Sequence, residues 1–447
     1  MVQTVTKKII NLTAVVTTAP TPSRLQQSGA IISVGGSTLT INTYQYCGDL
    51  SEVQSLLQTT GKGNYAELLN MATTFFAQGT GVGLYILELG YNANIDTQIT
   101  SLQTWITANP GLFYAYLTPV NWDTLSNEVG SASANAGTYT YTTAPTITFT
   151  AATGGGVTAT GTVAINGAGQ VSLITITNPG WYPAQASPTA TLSVATTGTA
   201  PTVTVTMANA QNVLTANYES PTGKMYFFAT TTVANGASYL NNKAVLGVIP
   251  APTAPSTEFT AAMPFYQALV NNPSASNMLA PMAFRYAYGV TAWPQTGQNT
   301  NITNGLTEFA NMIISGAEGG ISNLCLFKGT TMDGTQFSWW YGIDWFQIQV
   351  NQALAAAVIN GSNSNPPLLY NQNGINTLHK IAQQVADSAV KFGCALSATV
   401  SATPFGAYTT ANPTNYQAGL YNGFSAQVVG QNGFLVIDFA LNAIQFA

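Results

Sequence analysis

The sequence predicts an α/β (α+β) layered core with an inserted small all-β domain and extended N- and C-terminal arms. Helical and strand-like patterns alternate across residues 50–119, which is typical of βαβ units in a layered core. Residues 129–218 contain no charged side chain and consist of short Thr- and Val-rich runs separated by Gly and Asn. Residues 5–16 and 433–441 have the pattern of apolar strands, which predicts arms that need partner strands.

The chain is long and carries unusually little charge. Its 447 residues are enough for about two to four domains of the usual size. Only 6% of the residues are charged, whereas soluble proteins average roughly 25%, and the net charge is -5. Because charge repulsion helps to keep free monomers apart, so neutral a surface predicts a protein that packs against copies of itself.

The composition also argues against several function classes. Lys7-Lys8 is the only basic doublet, so a groove that binds nucleic acid is not expected. No apolar run is long enough to span a membrane, and we expect no signal peptide at the N-terminus. Cys47, Cys325 and Cys394 lie far apart, with neither metal-ligand nor disulfide spacing, which predicts assembly in a reducing compartment. No cofactor is expected.

Shifts in composition predict four regions. Residues 1–29 form an N-terminal arm, and residues 421–447 form a C-terminal arm strand. The α/β core is discontinuous and comprises residues 30–128 and 220–420, because the all-β segment 129–219 interrupts it where an insertion costs least. A disordered Thr/Gly linker is the competing interpretation of the insert, but alternation with aromatic anchors favours a packed sheet.

The elements of the core are predicted in order. Asn64 to Glu67 resembles a capping box ahead of a helix, and residues 94–108 show helical periodicity. Apolar runs predict the core strands, which are residues 82–89, 111–117, 225–230, 243–248 and 324–327. Between the last two runs we predict a helix at 258–270, a strand at 284–290 and a helix at 303–315.

The C-terminal quarter contains two predicted amphipathic helices. The first has an apolar face from Ile343 onwards and is expected to end at Asn360-Gly361. In the second, Asn373 is a plausible N-cap and Gly393 a plausible stop. Residues 397–432 show little periodicity, and the final strand-like run follows them.

Few residues have the chemistry that catalysis requires. The single histidine, His379, has no second histidine with which to share a metal or a proton relay. Asp344 is either a buried acid or a first-turn carboxylate favoured by the helix dipole. No Gly-x-Ser-x-Gly elbow or phosphate-binding loop is present. The aromatic run 339–341 could stack on a sugar or base, although core packing is its commoner use. We therefore expect that the chain is not an enzyme.

Three segments carry a resemblance to a known family. They are residues 101–119, the motif Gly342-Ile343-Asp344-Trp345 with its helix, and the helical segment 374–393. In this order they resemble contractile bacteriophage tail sheath proteins, and more narrowly a sheath-like family long known only as phage proteins of unknown function. The resemblance covers residues 30–128 and 220–447, and the all-β insert is not part of the shared core.

The resemblance implies a structural function without catalysis. Sheath subunits form hexameric rings that stack helically around a tail tube and contract to drive the tube through the host envelope for genome delivery. Their terminal arms add strands to sheets of neighbouring subunits. The implied partners are further copies of the chain, the tail tube protein, and the baseplate and tail terminator proteins. The implied location is the virion tail, after assembly in the host cytoplasm, with neither nucleic acid nor membrane as a partner.

The arms and one helix supply the candidate interface residues. Those of the N-terminal arm are Val5, Lys7, Lys8, Ile9, Ile10, Leu12 and Val15. Those of the C-terminal arm are Phe434, Leu435, Val436, Ile437, Asp438 and Phe439. By analogy with the family, the tube-facing candidates are Asn376, His379, Lys380, Gln383 and Asp387. Because few other charges lie near either chain end, we also predict that Lys7 or Lys8 of one subunit approaches Asp438 of another.

Other functions remain open from the sequence. A tail tube protein is disfavoured, because such proteins are usually shorter and consist mainly of one β-barrel. The main alternative is an adhesin-like structural protein of the tail or baseplate, whose β insert binds host surface glycans through Trp181 and Tyr182. A hydrolase is disfavoured by the shortage of acid and base residues.

Overall fold

The computed structural model describes residues 22–182, 187–219, 224–239, 241–294, 298–315 and 323–435. All the candidate residues of the N-terminal arm therefore lie outside the described residues. In the C-terminal arm, Phe434 and Leu435 are described, whereas Val436, Ile437, Asp438 and Phe439 are not.

The described part of the chain is a mixed α/β structure with several sheets. In chain order, the strands are β1 (Gly29–Ser33), β2 (Tyr44–Cys47), β3 (Leu84–Glu88), β4 (Ala115–Leu117), β5 (Leu125–Ala134), β6 (Tyr139–Thr140), β7 (Ile147–Phe149), β8 (Thr160–Ile165), β9 (Val171–Asn178), β10 (Ala190–Leu192), β11 (Thr197–Gly198), β12 (Val203–Asn209), β13 (Tyr226–Thr230), β14 (Val245–Ile249), β15 (Asn311–Ser315), β16 (Leu324–Phe327), β17 (Ala395–Ala402) and β18 (Phe424–Gly430).

Helices connect and cover the strands. They are α1 (Leu50–Leu56), α2 (Tyr65–Ala77), α3 (Ile95–Ala108), α4 (Ala210–Ala216), α5 (Val233–Gly236), α6 (Ala262–Leu269), α7 (Asn299–Thr307), α8 (Phe337–Ser362), α9 (Gln372–Lys391), α10 (Phe405–Ala411) and α11 (Pro413–Gln417). Short 3-10 helices occupy Pro22–Gln27, Val120–Trp122 and Ala237–Tyr239.

The largest sheet has eight strands in the order β16-β15-β14-β13-β4-β1-β3-β2. Its interior pairs are parallel, and the two edge strands, β16 and β2, run antiparallel to their neighbours. A parallel sheet needs helices on both faces, because its crossovers pass over them. Successive residues of β13 show this, since Phe228 packs into the core that includes α2, α6 and α8, while Phe227 packs into the core that includes α3 and α4.

Residues 125–209 form strands that pair among themselves and not with the large sheet. β5, β12, β10 and β7 make a four-stranded sheet, and β8 pairs with β9 and β6 with β11. These strands enclose a separate apolar cluster that contains Tyr139, Phe149 and Tyr182. The entering strand begins at Leu125 and the returning strand ends at Asn209, whereas we expected the insert to comprise residues 129–219.

Several predicted elements agree with the structure. Asn94 caps α3 by accepting a hydrogen bond from the backbone of Thr97, and α3 covers the expected residues. α8 ends at Ser362, one residue beyond Asn360-Gly361. α9 ends at Lys391, two residues before Gly393, whose φ of 73° is easily adopted only by glycine.

Other local predictions were wrong. Residues 284–290 do not form a strand, because Phe284 has a φ of 59° and only an isolated bridge joins Tyr286 to Cys325. The predicted helix 303–315 is instead α7 followed by β15, since the apolar end of that segment is buried in the sheet. Asn64 does not cap α2 through its side chain, which accepts a hydrogen bond from the Val34 backbone.

Candidate assembly interface

The long helix α8 is attached to the large sheet by a buried carboxylate. Asp344 accepts hydrogen bonds from the hydroxyls of Tyr114 and Tyr226, at 3.0 and 2.9 Å. Burial raises the pKa of this carboxyl to about 6, against the lowering effects of the two tyrosine hydroxyls and of Lys224. Asp344 lies well inside α8, which starts at Phe337, so the buried-acid interpretation is the correct one.

A close approach of backbones joins α8 to the segment that follows α9. A Cβ atom on Gly342 would collide with the carbonyl oxygen of Cys394, between α9 and β17. Asn371 caps α9 by accepting a hydrogen bond from Gly374 at 3.0 Å, in place of the predicted cap Asn373. The residues of α9 that are buried are small or aliphatic, and they include Ile375, Ala382, Ala386 and Ala389.

A β-hairpin that the sequence analysis missed follows α9. β17 and β18 pair antiparallel from Ala395–Gly430 to Ala402–Phe424, and they form a separate two-stranded sheet in the described part of the chain. α10 and α11 lie in the connection between the two strands. No charged residue occurs between Lys391 and Asp438, so the whole hairpin is uncharged. Charged side chains are a common protection of exposed sheet edges, and this hairpin lacks them.

The outer edge of β17 is partly covered by α9. The backbone carbonyl oxygen of Val400 contacts the Nε2 atom of His379 at 2.9 Å, and its backbone N–H donates to Gln383 at 2.9 Å. Both backbone groups of Val400 therefore point away from β18. A strand approaching this edge would have to displace two side chains of α9.

The outer edge of β18 is more open. Ala426 is the register partner of Val400, and in such a non-hydrogen-bonded pair its N–H and C=O also point outward. Ser425, Ala426 and Gln427 are exposed, and Val429 is 44% exposed. Among the described residues, no strand other than β17 pairs with β18. This edge offers an uncharged row of backbone donors and acceptors to another strand.

The tube-facing candidates on α9 fall into two groups. Asn376, Lys380 and Asp387 are exposed. His379 and Gln383 are partly buried and face the edge of β17, so their contacts there are within the chain. The tube-facing role itself stays a prediction.

Both chain ends leave the described body next to the start of α8. Gln26, in the 3-10 helix Pro22–Gln27, donates a hydrogen bond to the carbonyl oxygen of Tyr341 at 3.0 Å. At the other end, Gln336 and the backbone of Gly433 exchange two hydrogen bonds of 2.8 and 2.9 Å. Beyond this clamp, Phe434 is 80% exposed. An apolar side chain so exposed at the start of the arm is suited to contact another molecule.

Hydrogen bonds within the chain occupy the place where parallel α/β sheets often bind ligands. That place is the carboxyl end of the sheet where the strand order reverses, here beside β1. Glu88 is buried there and accepts hydrogen bonds from Ser33, Ser37, Gly35 and Gly90. Its carboxylate is thus committed to holding two loops together.

The described residues lack two other kinds of site. They contain no group of three or more His, Cys, Asp or Glu side chains placed to hold a metal ion. None of their helices combines the length and apolarity needed to cross a lipid bilayer.

The fold of the chain is similar to that of a baseplate chain. It resembles a chain in the cryo-EM structure of the anti-feeding prophage baseplate, with a TM-score of 0.53, 10% identity and 94% of each chain covered. At this identity the similarity establishes the fold alone. No protein-family model matches the sequence, and no curated protein matches it.

Sheath tail proteins are also among the similar solved structures. The one from Listeria innocua has a TM-score of 0.36 and 10% identity, and 84% of this chain and 88% of that chain are covered. The one from Desulfitobacterium hafniense has a TM-score of 0.37 and 9% identity, with 87% and 92% covered. The family that the sequence resembles is therefore represented among the solved structures similar to this chain.

Proposed function

We propose that this chain is the subunit of a contractile tail sheath, which polymerises into hexameric rings stacked around a tail tube. Contraction of the stack drives the tube through the host envelope. Tail tube, baseplate and tail terminator proteins are the other partners, and the particle assembles in the host cytoplasm. The fold shared with a chain of the anti-feeding prophage baseplate supports a structural role in such a particle.

The open edge of β18 is the observation that carries the proposal. It is uncharged and exposed, and it belongs to a sheet of only two strands in the described part of the chain. Two-stranded sheets are marginally stable alone and gain from further strands. The terminal segments 1–21 and 436–447 of neighbouring copies supply strand-like sequences for this purpose. Backbone hydrogen bonds made in this way would persist while the globular bodies rotate during contraction.

The low charge of the chain supports the same proposal. With 6% charged residues, copies repel one another weakly, so strand addition is opposed by little electrostatic work. The energy for contraction would come from the difference in buried contact between the extended and contracted arrays. We also propose that the strands within the predicted insert 129–219 form an outer domain, because they pair among themselves and leave the large sheet intact, whereas α4 at the end of that segment packs in the core.

Electron microscopy of the purified full-length chain tests the proposal. We expect hollow helical tubes built from six-membered rings. Deleting residues 436–447 or residues 1–21 should give folded monomers that form no tubes, because the added strands are missing. Circular dichroism and thermal unfolding would verify that each deleted chain is folded. Tubes of normal length from both deletions, or the absence of any helical assembly of the full chain, would contradict the proposal.

A further inference from the structure

A cleft of about 530 Å³ lies between the core and the β-rich region 125–209. Its core wall comes from α3 and α4, and its other wall from β5 and from Trp181. Cavities of this size hold small organic ligands, and the usual range is about 300–1,000 Å³. The cleft is separate from the hairpin edge that carries the proposed assembly.

One wall of the cleft presents an aromatic platform. Trp181 is 39% exposed although its backbone is fixed by a pair of hydrogen bonds with Val157, of 2.7 and 2.9 Å. Tyr182, the next residue, is buried in the apolar cluster of the β-rich region. The indole is therefore attached to a firm support while one part of it stays open to the cleft. An exposed indole held in this way can pack against the C–H face of a sugar ring.

The remaining lining supplies hydrogen-bonding groups with free capacity. The carboxylate of Glu128 and the side-chain amide of Gln103 make no hydrogen bond to any residue that the structure describes. Asn217 uses its amide N–H on the carbonyl of Val213, which leaves its side-chain oxygen as an acceptor. Carboxylates accept from hydroxyls, and amides both donate and accept, so this set matches a polyhydroxylated ligand.

The charge of the lining narrows the ligand class. Asp96 and Glu128 are its ionisable side chains, and the lining has no basic residue. Burial raises the pKa of both carboxyls, and the charge of Asp96 raises that of Glu128 further, so the two groups are close enough to repel. An anionic ligand would add to this repulsion. A phosphorylated, sulfated or uronic-acid ligand is therefore disfavoured, and a neutral one is favoured.

We propose that this cleft binds a neutral oligosaccharide, with one sugar ring stacked on Trp181 and its hydroxyls hydrogen-bonded to Glu128 and Gln103. The proposal adds a glycan-binding function to the structural one and does not depend on tube formation. In an assembled particle it would give every subunit a weak contact with cell-surface or other polysaccharide, and repetition along the array would multiply that contact.

The test applies the fluorescently labelled full-length protein to an array of neutral and acidic glycans, followed by titration calorimetry with a retained neutral glycan. We expect neutral glycans to be retained and acidic ones not. Trp181→Ala should weaken the affinity at least tenfold, and Glu128→Gln should weaken it several-fold while preserving side-chain shape. Val194→Ala is the matched control, because Val194 is 91% exposed in the same region but does not line the cleft.

Folding of each variant is verified by circular dichroism and thermal unfolding, and Glu128→Gln provides a second measurement should Trp181→Ala unfold. Retention of no glycan by the wild-type chain overturns the proposal. It is overturned equally if only acidic glycans bind, or if folded Trp181→Ala and Glu128→Gln bind as tightly as the wild type.

Discussion

Asp344 is the residue on which the attachment of α8 depends most clearly. Its carboxyl is buried beneath the helix and touches hydroxyls from β13 and from the residue just before β4, Tyr114. Breaking such a contact leaves polar groups unpaired in the core, which costs more than the contact itself contributes. Burial raises the pKa of this group from its usual value of 3.8 to about 6, so part of the stability of the fold must depend on pH.

The sign of that dependence follows from the raised pKa. Below pH 3.8 the group is protonated in both states, and as pH rises to about 6 only the unfolded state ionises freely, so stability is lost. We expect the unfolding free energy of the wild type, relative to Asp344→Asn, to fall by up to about 3 kcal/mol between pH 4 and pH 7. Urea unfolding at each pH measures this difference.

Tyr226→Phe provides a second test of the pH dependence that we assign to Asp344. It removes a hydroxyl donor that favours the carboxylate, so the pKa of Asp344 in the folded state should rise further, and the loss of stability should extend to higher pH. A difference between wild type and Asp344→Asn that stays constant across the range would show that Asp344 is not the responsible group.

For single residues, the sequence indicated which side chains matter more readily than which side chains they contact. The motif Gly342-Ile343-Asp344-Trp345 was identified as significant, and a buried acid was one of two interpretations. Its tyrosine partners lie 118 and 230 residues away along the chain, and no local pattern connects them. His379 was a tube-facing candidate, but its contact with the Val400 backbone depends on a hairpin that was not foreseen.

Among the elements, the hairpin β17–β18 was the largest omission. Its strands contain Ser, Thr, Ala and Gln, so the alternation of apolar and polar residues that identifies a half-buried strand is faint. One face of the hairpin is exposed in the free chain, so the residues on that face need not be apolar. The signal that was available is the run without charge from residue 392 to residue 437, a feature that suits a surface covered by other copies.

The edge of β18 gives a prediction about assembly at the level of one strand. In Ala426→Pro the outward backbone N–H is lost, whereas pairing with β17 uses the neighbouring residues of β18. Proline is tolerated at sheet edges, so the monomer should stay folded. We expect the protein concentration needed for tube formation, measured by sedimentation and microscopy, to rise at least about tenfold.

Ala426→Val is the matched control, because it keeps the N–H and favours the strand conformation. It should assemble as the wild type does. Normal tubes from a folded Ala426→Pro chain would mean that added strands do not pair with this edge.

At the level of the whole molecule, the β-rich region is connected to the core by one pair of adjacent strands. Ala132 of β5 pairs with Val205 of β12, so the chain leaves and returns at nearly the same point. Below this pair, Asp123 accepts hydrogen bonds from Asn209 and Tyr239, at 2.8 and 2.7 Å, and these fix the base of the region to the core.

This geometry predicts that the region can be removed without loss of assembly. Replacing residues 133–204 by Asn-Gly should close β5 and β12 as a two-residue hairpin while retaining Asn209. We expect the shortened chain to form tubes of smaller outer diameter, as measured by electron microscopy. A shortened chain that is folded and monomeric would show that the region takes part in contacts between copies.

The overall architecture was largely accessible from sequence, since the alternation of helices and strands and the change in composition after Glu128 are strong signals. The order of strands in the large sheet was not, because β4 pairs with β13 across the whole intervening β-rich region. Such long-range pairing leaves no periodicity in the chain. The strand order depends instead on how the buried strands pack together, since each must be covered on both faces of the sheet.

The clamps on the two chain ends have a further consequence. Gln336 and Tyr341, which hold Gly433 and Gln26, are separated by about 8 Å along α8. A chain whose natural ends are linked by a flexible peptide, with new termini opened in a surface turn, would keep every internal contact described above. Such a circular permutant could not donate its terminal segments to another copy, and would separate the ability to fold from the ability to join a lattice.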